Sequence, residues 1–431
     1  MICLLLLGDL SGSIPALWLI LAGAFACYGA AVLIVLRRGN VLHCSNLSLL
    51  LVLIFGLLFR ATLLASPPSL SHDVYRYVWD GRVQSAGINP YAFAPSAPAV
   101  AELRDASFAL INHPDISTIY PPLSQLLFRV VCTIHPGPFG MKVAFLLCEA
   151  GIVAVLIAVL RRRGLDESRV LIYAWNPLAI VEIAGSGHMD PMGILLLLLA
   201  AHALSLGRRG TATATLAGAF LAKLLPALAL PLLWRRLAAE PISLRPRLAL
   251  IWFPIVVAGG LAPYAGAGWK MVAGLSTYLD KWRFNDAAFS VAYWLLRDPT
   301  LAVDDAALAL LRQTSALLLA AVACWAGWRI ADPFRALFLI FGAYLLLSPT
   351  LHPWYLLWIL PFLALFPNPA WLLLSGLVFL AYEVLIGYGR NRVWVEQDWV
   401  KWAQFGPFFL TALATPVYRR WRPAAAGECM E

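Results

Sequence analysis

Charge is what this sequence has least of. Only 13% of its 431 residues are Asp, Glu, Lys or Arg, and 61% are hydrophobic. A soluble domain carries about 25% charged residues, so a water-soluble globule is excluded. The weak ten-residue alternation of a transmembrane barrel is also missing, and a backbone in lipid must then satisfy itself as helix. The start of the chain, MICLLLLGDL, has no basic stretch, so no cleaved signal peptide is read. The seven cysteines are scattered, with Cys27, Cys148 and Cys324 inside apolar runs, and no pair has zinc-ligand or disulfide-framework spacing. No internal repeat is evident.

What is present is a series of apolar runs under a mean hydropathy of +0.78. Most are long enough for about 30 Å of hydrocarbon. The expected fold is an all-α polytopic membrane protein, one integral membrane domain over residues 1–431, with 11–13 transmembrane or re-entrant helices. The net charge of +9 does not call for nucleic acid. Its arginines cluster between apolar runs, at Arg37–Arg38, Arg161–Arg163, Arg208–Arg209, Arg235–Arg236 with Arg245 and Arg247, Arg329 with Arg335, and Arg419–Arg422. Positive-inside placement of all these clusters sets a topology. Spans are expected near 14–36, 47–65, 139–160, 169–185, 191–206, 248–265, 305–328, 334–349, 353–366, 370–388 and 403–418. The N-terminus is then outside, and residues 66–138 form a large first external loop. The run 211–234 has Arg pairs on both sides, so a re-entrant hairpin turning near Lys223–Pro226 is preferred to a single crossing.

Most carboxylates then fall on the outer face. The densest polar block is DVYRYVWDGRVQSAGINPY, residues 73–91, just after a Ser-Pro-Pro break at Ser66–Pro68. Asp73, Arg76, Tyr77, Asp80 and Gln84 share one helical face. Tyr75, Val78, Trp79 and Val83 share the other, as in a helix lying in the membrane interface. Ser71 is the expected N-cap, which places Asp73 in the first turn where the amide dipoles favour a carboxylate. Such a carboxylate could take a proton from a sugar hydroxyl; solubilising Asp–Arg pairs are the plainer alternative. Ile119-Tyr120-Pro121-Pro122 reads as an extended piece re-entering the membrane. NPLAIVEIAGSGHMD, residues 176–190, brings Glu182, His188 and Asp190 to one tip, without the spacing of a metal site. Lys223 at the hairpin tip would need water or an anion, for which a lipid phosphate is suited. KWRFNDAAF and LSPTLHPWYLLWILPF bring Lys281, Trp282, Arg283 and His352 to the same face, as phosphate clamps and sugar-stacking rings or as ordinary interface residues.

Together these motifs, in order over most of the chain, resemble the GT-C superfamily of membrane glycosyltransferases. They are most similar to the bacterial polyprenyl-phosphate-mannose-dependent mannosyltransferases. The resemblance rests on DVYRYVWDGRVQSAGINPY, INHPDISTIYPP, NPLAIVEIAGSGHMD, KWRFNDAAF and LHPWYLLW. It implies interfacial helices in the first external loop and a sugar donor carried on polyprenyl phosphate. The acceptor it implies is a hydroxyl of a glycan or lipid-linked molecule, which the residues themselves do not choose. It also implies a loop carboxylate acting as general base, here Asp73, with inversion at the anomeric carbon. Lys223, Lys281 or Arg283 would steady the departing phosphate; Arg76, Tyr77, Asp80, Tyr120, Glu182, His188, Asp190 and His352 complete the expected donor and acceptor site. Superfamily members often carry two loop carboxylates one residue apart. Here His72-Asp73-Val74-Tyr75 has one, so no cofactor is expected and dependence on a divalent metal stays open. The expected place is the cell membrane, among its lipids, with the site facing the periplasm or exterior. A secondary transporter or lipid flippase is the alternative; it would show matched halves and broken helices in both.

Overall fold

The computed structural model describes residues 1–37, 46–238, 249–301, 303–391 and 393–421. Arg38, Arg245, Arg247 and Arg422 of the basic clusters lie outside the described residues. Among the described residues there is no strand, only one isolated parallel bridge between Phe284 and Thr350. Six helices among the described residues are long and apolar enough to cross a membrane: Ile14–Arg37, Leu47–Leu64, Pro138–Arg162, Ala249–Ala267, Asp305–Arg329 and Pro369–Asn391. Three shorter apolar helices, Pro122–Ile134, Asp190–Ser205 and Pro333–Leu347, complete the set. The protein is an all-α polytopic membrane protein.

Several expected spans are not single helices, and proline is the usual reason. Over 169–185, Asn176 is forced out of the helical region by Pro177 (φ −61°, ψ 120°) and uses its side chain to accept the Leu178 amide. Beyond it, Ile180–Gly185 winds as a π-helix. Over 353–366 the chain is a 3₁₀ turn, Pro353–Trp358, then a short helix, Leu360–Leu365. Within the expected loop 66–138, Pro122–Ile134 is itself a helix, begun by a proline whose missing N–H costs nothing at that position.

We number the helices that build the site: α1 (Asn46–Leu64), α2 (Asp73–Ser85), α3 (Pro122–Ile134), α4 (Pro138–Arg162), α5 (Asp190–Ser205), α6 (Arg209–Ala222), α7 (Leu230–Ala238) and α8 (Lys270–Lys281). In α6 the helix stops at Ala222, Lys223 is extended (φ −154°, ψ 137°), and a 3₁₀ turn leads into α7. Ala212 and Leu216 of the first limb line one apolar cavity with Ala229, Leu232 and Leu233 of the second. A straight helix would hold Ala212 and Leu232 about 30 Å apart, so the chain turns back at Lys223.

The apolar face of α2 is covered by other parts of the chain. Val78, Trp79 and Val83 are buried: the following loop covers Trp79 and Val83 with Val100, Ile111 and Phe108, whereas Val78 packs into the main helical core. The opposite face meets α3. Deep between the helices, Arg60 of α1 grips Glu149 of α4 through Nε (2.6 Å) and Nη2 (2.5 Å), while Nη1 donates to the Gly56 and Ala174 carbonyls.

Basic residues collect at one end of the bundle. Arg163 pairs with Asp332 (2.6 Å), Arg161 with Glu167, and Arg235 reaches the Gly327 carbonyl. The other end of α4, about 37 Å away at ~1.5 Å per residue, places Lys142 against the carbonyls of Leu64 and Ser66. The expected site residues gather at that second end.

Candidate active site

The helix α2 begins at Asp73. His72 takes the N-cap position without capping through its side chain, and Ser71 Oγ accepts the Asp73 amide at 3.3 Å; the expected cap is displaced by one residue. Asp73 Oδ2 lies 3.8 Å from Nδ1 of His188. The far nitrogen of that ring, Nε2, lies 3.4 Å from Glu182 Oε2, and Tyr382 donates its hydroxyl to Glu182 Oε1 at 2.9 Å. His188 is delivered by a turn that needs glycine. Gly187 has φ +78°, and a Cβ there would stand 3.2 Å from both Lys142 and Val74.

A column of rings fixes the imidazole. His188 stacks on Trp354 (3.9 Å, 17°), Trp354 on His352 (4.4 Å, 5°), and His352 leans on Phe284 at 4.9 Å. Burial, reinforced by the Lys223 ammonium, pushes the His352 imidazole down to about 3, so it enters the column as a neutral ring. The Phe284–Thr350 bridge ties the last two members together: Phe284 N–H donates to the Pro349 carbonyl and Leu351 N–H to the Phe284 carbonyl.

Across from Asp73 sits a second carboxylate with a cation. Asp190 Oδ1 accepts from Lys223 Nζ (2.5 Å) and from Trp358 Nε1 (2.6 Å). The break after α6 frees Lys223 to point here, where its ammonium stands 5.0 Å over Tyr355 and 5.9 Å from Trp358. Gly193 makes room, since a Cβ there would come within 2.8 Å of the Trp358 ring. The Tyr355 and Tyr278 hydroxyls are 2.5 Å apart. Burial lifts the Tyr278 hydroxyl to about 12, with the Asp73 and Asp190 carboxylates adding to the rise, so it stays protonated.

The remaining expected residues divide. Tyr77 and Tyr120 flank Asp73, edge to face at 4.9 Å, with Tyr77 stacked on Phe128. Asp80 is spent on structure: it accepts from Arg76 Nε (2.9 Å), Thr118 Oγ1 (2.5 Å) and Gln125 Nε2 (2.9 Å), locking α2 to α3. Arg76 keeps a buried Nη2 with no hydrogen-bond partner. Arg283 is not brought to Asp73. Its Nε donates to Asp286 (2.8 Å) and its guanidinium lies over Tyr293, in a neighbouring cluster with Lys401 and Ser290. Lys281 is exposed at the end of α8.

Sequence reasoning missed Tyr278, Trp358 and Tyr382 as members of the site, and Trp354 as the ring between two histidines. The LHPWYLLW motif carried a signal for Trp354 and Trp358. Tyr382, 200 residues from its partner, carried none. Exposure separates the four carboxylates: the Asp73 side chain is 27% exposed, against 2% for Asp80, 0% for Glu182 and 1% for Asp190. Among the described residues no group of three or more His, Cys, Asp or Glu is arranged to hold a metal ion.

Two family models match the chain. One, described as alpha-(1→6)-mannopyranosyltransferase, N-terminal domain, matches residues 4–239 and so holds Asp73, Glu182, His188, Asp190 and Lys223. The other, described as the MptB C-terminal domain, matches residues 290–390 and holds His352, Trp354, Trp358 and Tyr382. No curated protein matches the sequence.

Proposed function

Since the chain belongs to the alpha-(1→6)-mannopyranosyltransferase family, we propose that this membrane glycosyltransferase moves mannose from polyprenyl phosphate to the 6-hydroxyl of a mannose-bearing, glycan or lipid-linked acceptor. Asp73 takes the hydroxyl proton as the oxygen attacks the anomeric carbon. Attack comes from the face opposite the phosphate, so the configuration inverts, and an α product requires a β-linked donor. Lys223 has three N–H donors and spends one on Asp190; the others serve the departing phosphate, with the unpartnered Nη2 of Arg76 and the Tyr278 hydroxyl beside it. Lys281 meets the phosphate from the rim. Tyr120, half-buried beside Asp73, offers its ring to the sugars.

The single observation that carries this reading is that Asp73 is the exposed carboxylate of the four, at the start of a helix whose dipole favours its charge. Sidedness follows from the arginines. If the basic end is cytoplasmic, the site opens on the outer face of the cell membrane. Dependence on a divalent metal is read from the rate with and without EDTA.

The test is release of polyprenyl phosphate from synthetic polyprenyl-phosphate mannose by the purified protein in lipid, with a mannoside acceptor present. Wild type should turn over, and Asp73→Asn should lose at least about 100-fold in kcat with donor binding retained. Equal rates in the two would remove Asp73 as base; no release by wild type would overturn the donor assignment.

A further inference from the structure

Behind Asp73 three buried polar atoms stand in a row without hydrogen-bond partners: Nδ1 and Nε2 of His188 and Oε2 of Glu182. Buried polar groups are almost always paired, and an exception needs a reason. The gaps in this row are 3.8 Å from Asp73 to His188 and 3.4 Å from His188 to Glu182, so an approach of about 0.8 Å by Asp73 and about 0.4 Å by Glu182 brings both to hydrogen-bond length. The row is otherwise rigid. Trp354 clamps the imidazole face, Gly187 seats its turn against Lys142 and Val74, and Tyr382 holds the far end of Glu182.

Resting on the mannosyl-transfer reading above, we propose that His188 and Glu182 are positioning residues that hold the proton Asp73 takes from the acceptor. The acceptor O–H bond breaks, its electron pair becomes the new bond to the anomeric carbon, and its proton goes to Asp73, while the bond from that carbon to the phosphate oxygen breaks and polyprenyl phosphate leaves with its electron pair. From Asp73 Oδ2 the proton passes to His188 Nδ1, while Nε2–H stays directed at Glu182 Oε2. The resulting imidazolium lies between two carboxylates, Asp73 and Glu182; the other ring facing it, across Trp354, is His352. Once both products have left, the proton returns through Asp73 to water. Burial divides the work, since His188 and Glu182 are wholly enclosed and only Asp73 can touch substrate. Drawing the proton off Asp73 keeps it from being handed back to the new glycosidic oxygen, which is the first step of the reverse reaction.

The experiment measures kcat, KM and their pH dependence for His188→Asn, Glu182→Gln and the double variant, in the lipid-reconstituted full chain with polyprenyl-phosphate mannose. Each single variant should lose about 10- to 100-fold in kcat and keep KM within about twofold. The double variant should lose no more than the worse single one, because members of one unit are not additive. The acid limb of kcat should move in all three. Unchanged kcat, losses that multiply, or a raised KM with intact kcat would each overturn the relay. If the two single variants fail to fold, Tyr382→Phe takes their place: a displaced acid limb supports the relay and an unmoved one overturns it. A silent wild type would instead refute the mannosyl-transfer reading, whereas an active wild type with unaffected variants removes the relay alone.

Discussion

Glu149→Gln should be the most damaging single-atom exchange in the membrane core. It keeps the shape of the side chain and removes the charge that Arg60 faces across two hydrogen bonds of 2.6 and 2.5 Å. Arg60 would keep the Gly56 and Ala174 carbonyls, but an amide NH₂ would confront its N–H groups and a buried cation would lose its counter-ion. Breaking one partner of a buried pair costs about 3–5 kcal/mol. At ~2 °C per kcal/mol for a large domain, the midpoint of thermal unfolding in detergent should fall by about 6–10 °C. The double variant Arg60→Met with Glu149→Leu removes both desolvation penalties and should return to within about 2 kcal/mol of wild type. The coupling between the sites would then be several kcal/mol in a double-mutant cycle. Single variants melting with wild type would show that the pair is hydrated and does not bear on packing. A double variant as unstable as the singles would assign the loss to the Ala174 and Gly56 hydrogen bonds rather than to the orphaned charge.

Three further outcomes are expected. Gly193→Ala drives a methyl into the Trp358 ring, so it should cost about 1–3 kcal/mol in unfolding free energy and lower kcat by weakening the Trp358–Asp190 bond; unchanged thermal midpoint and kcat would refute the close packing. His352→Phe keeps a neutral ring in the column and should preserve kcat and its pH profile within about twofold, whereas His352→Ala opens a gap beneath Trp354 and should cost about 2- to 10-fold, the equivalent of one aromatic contact. Asp105, on the loop, is held down to about 2 from 3.8 by the Arg82 guanidinium and then by Ser107. Its stabilisation is therefore complete above about pH 4 and disappears as the pH falls through about 2; because the pair is half exposed, Asp105→Asn should cost under about 1 kcal/mol near neutrality, with the two melting curves converging in acid.

Hydropathy located helices well where one residue type dominates, as in Ile14–Arg37, Pro138–Arg162 and Asp305–Arg329, because burial in lipid asks little beyond length. It failed where backbone chemistry overrides apolarity. Pro177 and Pro353 break runs that average as spans, and the break at Asn176 is what lets Glu182 and His188 turn inward. Amphipathic spacing in DVYRYVWDGRVQS showed which residues of α2 share a face but not what covers the other one, since Phe108, Val100 and Ile111 arrive from a loop with no periodic signature. Close motif neighbours such as Glu182 and His188 were legible as a group. Arg60 and Glu149 were not, because a lone charge in an apolar run says only that a partner exists somewhere. The pairing of Arg283 with Asp286, three residues away in the same motif, was not read from the sequence.

The site is also a problem of timing. Trp358 reaches Asp190 across 168 residues and Tyr382 reaches Glu182 across 200. A ribosome adding about 5–20 residues per second needs about 10–40 s to supply those partners after the carboxylates have left it. Through that interval a half-made chain carries two acids and a histidine at the edge of the bilayer with their later neighbours unmade. Biogenesis must therefore shelter them, through the insertion machinery or by delayed docking of the Asp190 helix, and variants that slow synthesis between residues 190 and 358 should be degraded more than their finished stability warrants.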